Sequence, residues 1–358
     1  MPSTRVGIIG TGPAPDETRD DKGYSMGYRH AHAYRAVEGC HVVGCADIDA
    51  ENAAAFADEF DLPESAVFTD HAELLASMDV DLVSICTPPQ THEPLVEDCL
   101  ASDAVGAIHC EKPIAPTWGA CKRIVEACRQ ADVALTFNFQ NRGRPAVKAV
   151  KNLLDSGDLG RLERVEVSRA DLMQTGIHNI DLANYFAGDT PVSWVLGQVD
   201  YRTENVWYTD MHSEDQGLAL WMYDSGVSGL AATGEHASEV LGPQLRLLTS
   251  EARVEIRFWE DPTVRVLHCD NGGWKALDVP PMNGQQVALR DVVESYRSGT
   301  PSSLRAENGM RATELVFAVW ESAKRRGRID LPLETEGNAL AELVESGERQ
   351  LQSPSHSR

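Results

Sequence analysis

The sequence predicts two domains in series: an α/β domain around a doubly wound parallel sheet, then an α+β domain around a large, mostly antiparallel, open-faced sheet. Three observations carry that expectation. Up to Phe137, short continuous apolar runs alternate with helix-length segments, the pattern of βα units whose strands are covered on both faces. Beyond Leu162, segments that alternate apolar and polar residues follow one another, as half-buried antiparallel strands do. The apolar runs of the first part end on glycines, acids, a histidine and a lysine, and open α/β sheets bind ligands outside the carboxyl ends of their strands.

Taken in order, Arg5-Val6-Gly7-Ile8-Ile9-Gly10 reads as a buried strand running into Thr11-Gly12. Glycines at 10 and 12 permit a tight turn and let the backbone approach a pyrophosphate at a helix N-terminus. The third glycine of a G-x-G-x-x-G fingerprint is absent, because Pro15 holds its place. The polar stretch Pro13 to Tyr24 reads as an insertion before the first helix, Ser25 to Tyr34, with Gly27 as the substitute glycine. A second strand, His41 to Ala46, ends at Asp47. An acid there accepts hydrogen bonds from the adenosine ribose and repels a 2′-phosphate, which favours NAD over NADP. The same Asp47 is placed to cap the following helix, Asp49 to Phe60.

After a brief strand at Val67-Phe68, the buried run Asp81 to Cys86 meets Thr87-Pro88-Pro89. The prolines end it and leave Thr87 and His92 at its carboxyl end, with His92 opening a helix to about Ala101. Gly106 to Cys110 then delivers Glu111, Lys112 and Pro113. Lys112, a cation at the crevice, is the first candidate for chemistry. A helix from Thr117 to Gln130 and a strand from Val133 to Phe137 complete the domain, and Asn138 to Pro145 opens a helix to about Ser156.

In this order and at strand ends, Gly10-Thr11-Gly12, Asp47, Thr87-Pro88-Pro89-x-x-His92 and Glu111-Lys112-Pro113 resemble the glucose-fructose oxidoreductase / inositol dehydrogenase / MocA family. The resemblance extends through Leu331-Pro332-Leu333. It implies a Rossmann domain at 1–137, in which Gly10, Thr11, Gly12, Gly27, Asp47, Thr87, Pro88, His92, Glu111 and Lys112 serve the cofactor. It implies a substrate-binding and oligomerisation domain at 138–333, followed by a tail at 334–358. The segment Gln174-Thr175-Gly176-Ile177-His178-Asn179-Ile180-Asp181 is similar to the family's G-x-H-x-x-D segment, and His178 and Asp181, three apart, share one helix face.

The resemblance implies that His178 takes the hydroxyl proton while Lys112 stabilises alkoxide character, with Asp181 as orienter. Arg142, Gln174 and Asn179 become expected substrate contacts, with a surface salt bridge as the other reading of Arg142. One position departs from the family pattern. Sugar and inositol dehydrogenases carry an acid four residues before the histidine, whereas this chain has Gln174, which bonds a hydroxyl but takes no proton. The expected activity is hydride transfer to or from a carbon of a sugar, polyol or cyclitol. NAD-assisted glycoside cleavage by oxidation and elimination is the alternative, and cofactor binding without turnover is a third.

Composition narrows the partners. Among 358 residues, 55 acids against 32 Lys and Arg give a net charge of -23, which disfavours nucleic acid and anionic membranes. With only seven lysines, this acidic surface is that expected of a protein working in concentrated salt, where charge repulsion is screened. No run of about 18 apolar residues and no signal-peptide pattern is present, so a soluble cytoplasmic protein is expected. Eight cysteines without a C-x-x-C pair read as reduced and structural. His30-x-His32 lacks a third ligand, so no metal is expected. Trp207-Tyr208 and Trp221 are candidates for a carbohydrate pocket or for core. The resemblance implies a homodimer or homotetramer formed through the open sheet face.

Overall fold

The computed structural model describes residues 3–15, 25–202, 204–206, 211–235, 237, 242–269, 272–280 and 283–347. The expectations for 16–24, Trp207-Tyr208 and the chain beyond 347 lie outside the described residues. The chain divides into two compact units. The first comprises the described residues within Met1–Ala115, Ala120–Arg144 and Asn283–Gly309; the second those within Pro116–Gly119, Pro145–Met282 and Met310–Arg358.

Along the first part of the chain the elements are β1 (Thr4–Ile9), α1 (Met26–Arg35), β2 (Cys40–Ala46), α2 (Ala50–Phe60), β3 (Val67–Phe68), α3 (His71–Ser77), β4 (Leu82–Ile85), α4 (His92–Leu100), β5 (Ala107–Cys110), α5 (Trp118–Gln130) and β6 (Ala134–Phe137). The six strands form one parallel sheet in the order β3-β2-β1-β4-β5-β6. Its central strands are mostly apolar because helices cover both faces: Val6, Ile8, Leu82, Val83, Ile85 and Ile108 are fully buried, with Ser84 and His109 as buried polar exceptions. The order reverses between β1 and β4, which is the switch point of a doubly wound sheet.

The chain then forms α6 (Pro145–Asp155), β7 (Leu162–Arg169), α7 (Ile177–Phe186), β8 (Val192–Asp200), β9 (Gln216–Tyr223), β10 (Ser228–Gly234), β11 (Leu245–Thr249), β12 (Ala252–Ile256), β13 (Val264–His268), β14 (Lys275–Ala276), α8 (Gly284–Ser298), α9 (Ala306–Arg325), β15 (Ile329–Asp330) and α10 (Ala339–Ser346). The second unit's sheet has nine described strands in the order β14-β13-β12-β11-β7-β10-β9-β8-β15, antiparallel except for the β7 and β10 pair. Alternation in β9 explains its two faces. Ala219, Trp221 and Tyr223 are buried, while Leu218 and Leu220 are 62% and 39% exposed on the other side. The buried face packs closely: a Cβ at Gly197 would lie 2.7 Å from Val319 of α9.

A single boundary after Phe137 does not describe this division. Residues 138–144 stay with the first unit, and 283–309 return to it. The return is fastened by Arg297 of α8, whose guanidinium donates to Thr4 Oγ1 and to the carbonyls of Glu38 and Gly39 at 2.8–2.9 Å. The tail is docked as far as it is described. Leu340 is fully buried, and the Tyr201 hydroxyl donates to the Leu343 carbonyl.

Helix α2 starts where a side chain satisfies its free N–H groups: Asp49 Oδ1 accepts from Glu51 at 2.9 Å and Asn52 at 3.4 Å. Asp49→Ala should therefore lower unfolding free energy by about 1 kcal/mol, read as a reduced urea midpoint at unchanged slope.

Candidate active site

In the first unit, the carboxyl edge of the parallel sheet gathers the residues read from the sequence as cofactor contacts. Gly10 leaves β1 at φ +84°, and a Cβ there would sit 2.5 Å from Thr87 Cγ2. Gly12 lies at φ +67°, a left-handed conformation that glycine adopts freely, and among the described residues the nearest atom to its Cβ position is Ser25 Cα at 3.8 Å. Gly27 opens α1 against the loop, where a Cβ would lie 2.8 Å from Thr11 Cα. Asp47 turns its carboxylate back on the same loop. Oδ2 accepts the Gly12 N–H at 2.9 Å and the Thr11 hydroxyl at 3.0 Å, while Oδ1 accepts the Asp49 N–H at 3.0 Å. The cap of α2 is thus Asp49 rather than Asp47. These glycines, the helix start and the acid fit the pyrophosphate and ribose of a dinucleotide.

Thr87 is half-buried and Pro88 exposed at the end of β4. His92 is fully buried, with Nδ1 2.9 Å from the Ile114 carbonyl and Nε2 2.9 Å from that of Thr87. It ties the Thr87 turn to the chain after Lys112, and burial lowers its pKa. Lys112 is half-buried just beyond β5.

Beside it lies a charge pair. Glu111 Oε1 accepts from His30 Nε2 at 3.0 Å and from Asn138 Nδ2 at 2.6 Å, and Oε2 accepts the Lys112 backbone N–H at 3.2 Å. His30 Nδ1 faces Ser84 Oγ at 2.8 Å, and Gln285 Nε2 donates to Asn138 Oδ1 at 3.1 Å. Burial alone would raise the Glu111 pKa, but His30, Lys112 and Asn138 outweigh it and bring it to about 2. Burial alone would lower that of His30, but Cys86 and Glu111 outweigh it and raise it to about 10. Glu111, read from sequence as a cofactor contact, thus has both carboxylate oxygens engaged within the unit.

Arg142 is 1% exposed and donates to the Ser303 carbonyl at 3.3 Å, which excludes a surface salt bridge. Among the described residues no group of three or more His, Cys, Asp or Glu is placed to hold a metal ion. His30 and Ile48 were missed as site residues. His30 shares the buried stripe of α1 with Gly27 and Tyr34, a polar residue where apolar ones are expected. Ile48, beside Asp47, is 97% exposed, an apolar side chain in water at a strand end.

In the second unit, the turn before α7 is built around Asp171. Its carboxylate accepts the N–H groups of Gln174 and Thr175 and the Thr175 hydroxyl. A Cβ at Gly176 would lie 1.9 Å from the Asp171 carbonyl oxygen, so only glycine fits. The turn leads into His178, half-buried in the first turn of α7, and to Asp181, fully buried one turn on. Gln174 is half-buried. Asn179 is 2% exposed, and its amide donates to the carbonyls of Ser168 and Gln244 at 3.3 Å, the arrangement of a packing residue. A residue absent from the sequence reading supports this turn. Glu214 is buried, accepting the Leu172 N–H on Oε1 and the Trp320 indole N–H on Oε2. Burial first, and then the charge of Asp171, push its pKa up to about 8.

Together these features define a nucleotide-binding oxidoreductase scaffold. The chain belongs to the Gfo/Idh/MocA oxidoreductase family: residues 4–139 match its NAD-binding Rossmann fold and residues 166–331 its C-terminal alpha/beta domain. It is 30% identical to a D-apiose dehydrogenase of Rhizobium rhizogenes, over 84% of this chain and 93% of that protein. It is 22% identical to a myo-inositol 2-dehydrogenase of Thermotoga maritima, over 91% and 98% respectively. Its fold is similar to that of an Agrobacterium radiobacter oxidoreductase solved with NAD+, L-tartaric acid and magnesium. That match has a TM-score of 0.75 at 20% identity and covers 92% of this chain and 98% of that one.

Glu214 provides a test of the second unit's electrostatics. Its folded pKa of about 8 lies above the ordinary 4.5, so its contribution to stability is fully present below pH 4.5 and lost as pH rises through 8. The stability difference between wild type and Glu214→Gln should therefore move in the variant's favour between about pH 5 and pH 9, measured by urea unfolding.

Proposed function

We propose that the protein is an NAD-dependent dehydrogenase that oxidises or reduces a carbon of a sugar, polyol or cyclitol. The observation that carries this reading is the arrangement of Gly10, Gly12, Asp47 and Lys112 along one edge of the parallel sheet. NAD, when bound, supplies the hydride acceptor. The chain's own residues supply the rest. Asp47 reads the ribose hydroxyls and repels a 2′-phosphate, which sets NAD above NADP, and exposed Ile48 offers an apolar surface for the adenine plane.

Lys112 holds the substrate oxygen and stabilises its negative charge, and His178 takes or returns the hydroxyl proton. Gln174, with no proton to exchange, donates or accepts a hydrogen bond with a neighbouring hydroxyl. D-apiose and myo-inositol, named for the relatives' enzymes, support a polyhydroxylated substrate. The protein works in the cytoplasm, in concentrated salt, as a homo-oligomer. Supporting the last point, Leu196 and Leu220 are cross-strand partners on β8 and β9 and, with Leu218, expose a contiguous apolar patch that a second copy would cover.

Lys112→Ala should abolish turnover while NAD affinity stays within a few-fold, and His178→Asn should cost about 10²-fold or more in kcat. Near-normal rates in either variant would remove that residue from the mechanism. Asp47→Ala should erode the preference for NAD over NADP in direct binding titrations; an unchanged ratio would place ribose recognition elsewhere.

A further inference from the structure

We propose that the buried His30–Glu111 pair is a positioning device for Lys112, holding its peptide in place and balancing the charge beside its ammonium. The inference rests on the reading of Lys112 as the group that meets the substrate oxygen. Three observations carry it. Beyond Cys110 the ladder of the parallel sheet ends: the Glu111 N–H still reaches the Ile85 carbonyl at 2.9 Å, whereas the Lys112 N–H turns to the Glu111 carboxylate. That carboxylate is fixed from outside its own strand, by His30 of α1 and by Asn138 beyond β6, with Gln285 of α8 behind Asn138. The assembly is inaccessible, His30 and Asn138 being fully buried and Glu111 6% exposed. It therefore acts on a ligand only through the residue it holds.

Charge gives the pair a second effect. A lone carboxylate next to Lys112 favours the protonated amine, and a neighbouring imidazolium offsets that field. Removing His30 leaves Glu111 uncompensated, while removing Glu111 takes the attraction away. The other titratable groups facing the pair are Tyr34 of α1, Cys86 beyond β4, His92 of α4, and His109 and Cys110 of β5.

The test reads Lys112 itself. Seven lysines are few enough for a 13C-lysine-labelled chain to be followed by NMR, with Lys112→Arg assigning the signal. In His30→Gln the Lys112 titration should move to higher pH by about one unit, in Glu111→Gln to lower pH, and the double variant should resemble Glu111→Gln. Both single variants should lose turnover about 10-fold or more at unchanged NAD affinity, on polyols that the wild type oxidises. If one single variant fails to fold, the opposite sign required of the other keeps the test intact. An unmoved Lys112 titration in a folded variant overturns the proposal. A moved titration with unaltered turnover sustains the positioning of Lys112 and overturns its catalytic reading instead.

Discussion

Parallel strands end with backbone groups that have no ladder partner, and the first unit is organised by how those groups are satisfied at one edge of its sheet. Each solution fixes a side chain proposed for the site. The Gly12 N–H takes the Asp47 carboxylate, the Lys112 N–H takes that of Glu111, and the Thr87 carbonyl faces His92. The Gly10–Gly12 loop, the Asp47 carboxylate and the lysine are therefore not separate features added to a scaffold. They are the means by which β1, β2, β4 and β5 end.

The second unit solves the same problem with buried acids. Asp171 closes the turn before α7 with its carboxylate, and Glu214 holds the Leu172 peptide and the Trp320 indole from inside. Burial first, and then the charge of Asp171, disfavour ionisation of Glu214, which is why it is pushed towards neutrality. His178 follows from that turn within a single helical turn, so its placement depends on these two acids.

The parts of the site written locally were legible in the sequence. A strand end, a glycine pair and an acid after the second strand are fixed by residues next to one another, and the alternation of β9 gives its two faces directly. What was not legible depends on long separations. His30 meets Glu111 across 81 positions and Gln285 meets Asn138 across 147, so the sequence offered only a histidine near a second histidine and an unremarked asparagine. The same reason explains the return of 283–309 to the first unit and the interior setting of Arg142. Ile48 differs: its exposure at a strand end required the fold to be seen.

The central claim is oxidation coupled to NAD, and product analysis addresses it most directly. The protein would be incubated with NAD in molar salt against free sugars, polyols, cyclitols and glycosides, following both NADH absorbance and product mass. The account predicts accumulating NADH with a product two hydrogens lighter than its substrate. Free sugar released from a glycoside without net NADH would contradict it and assign the scaffold to cleavage by oxidation and elimination.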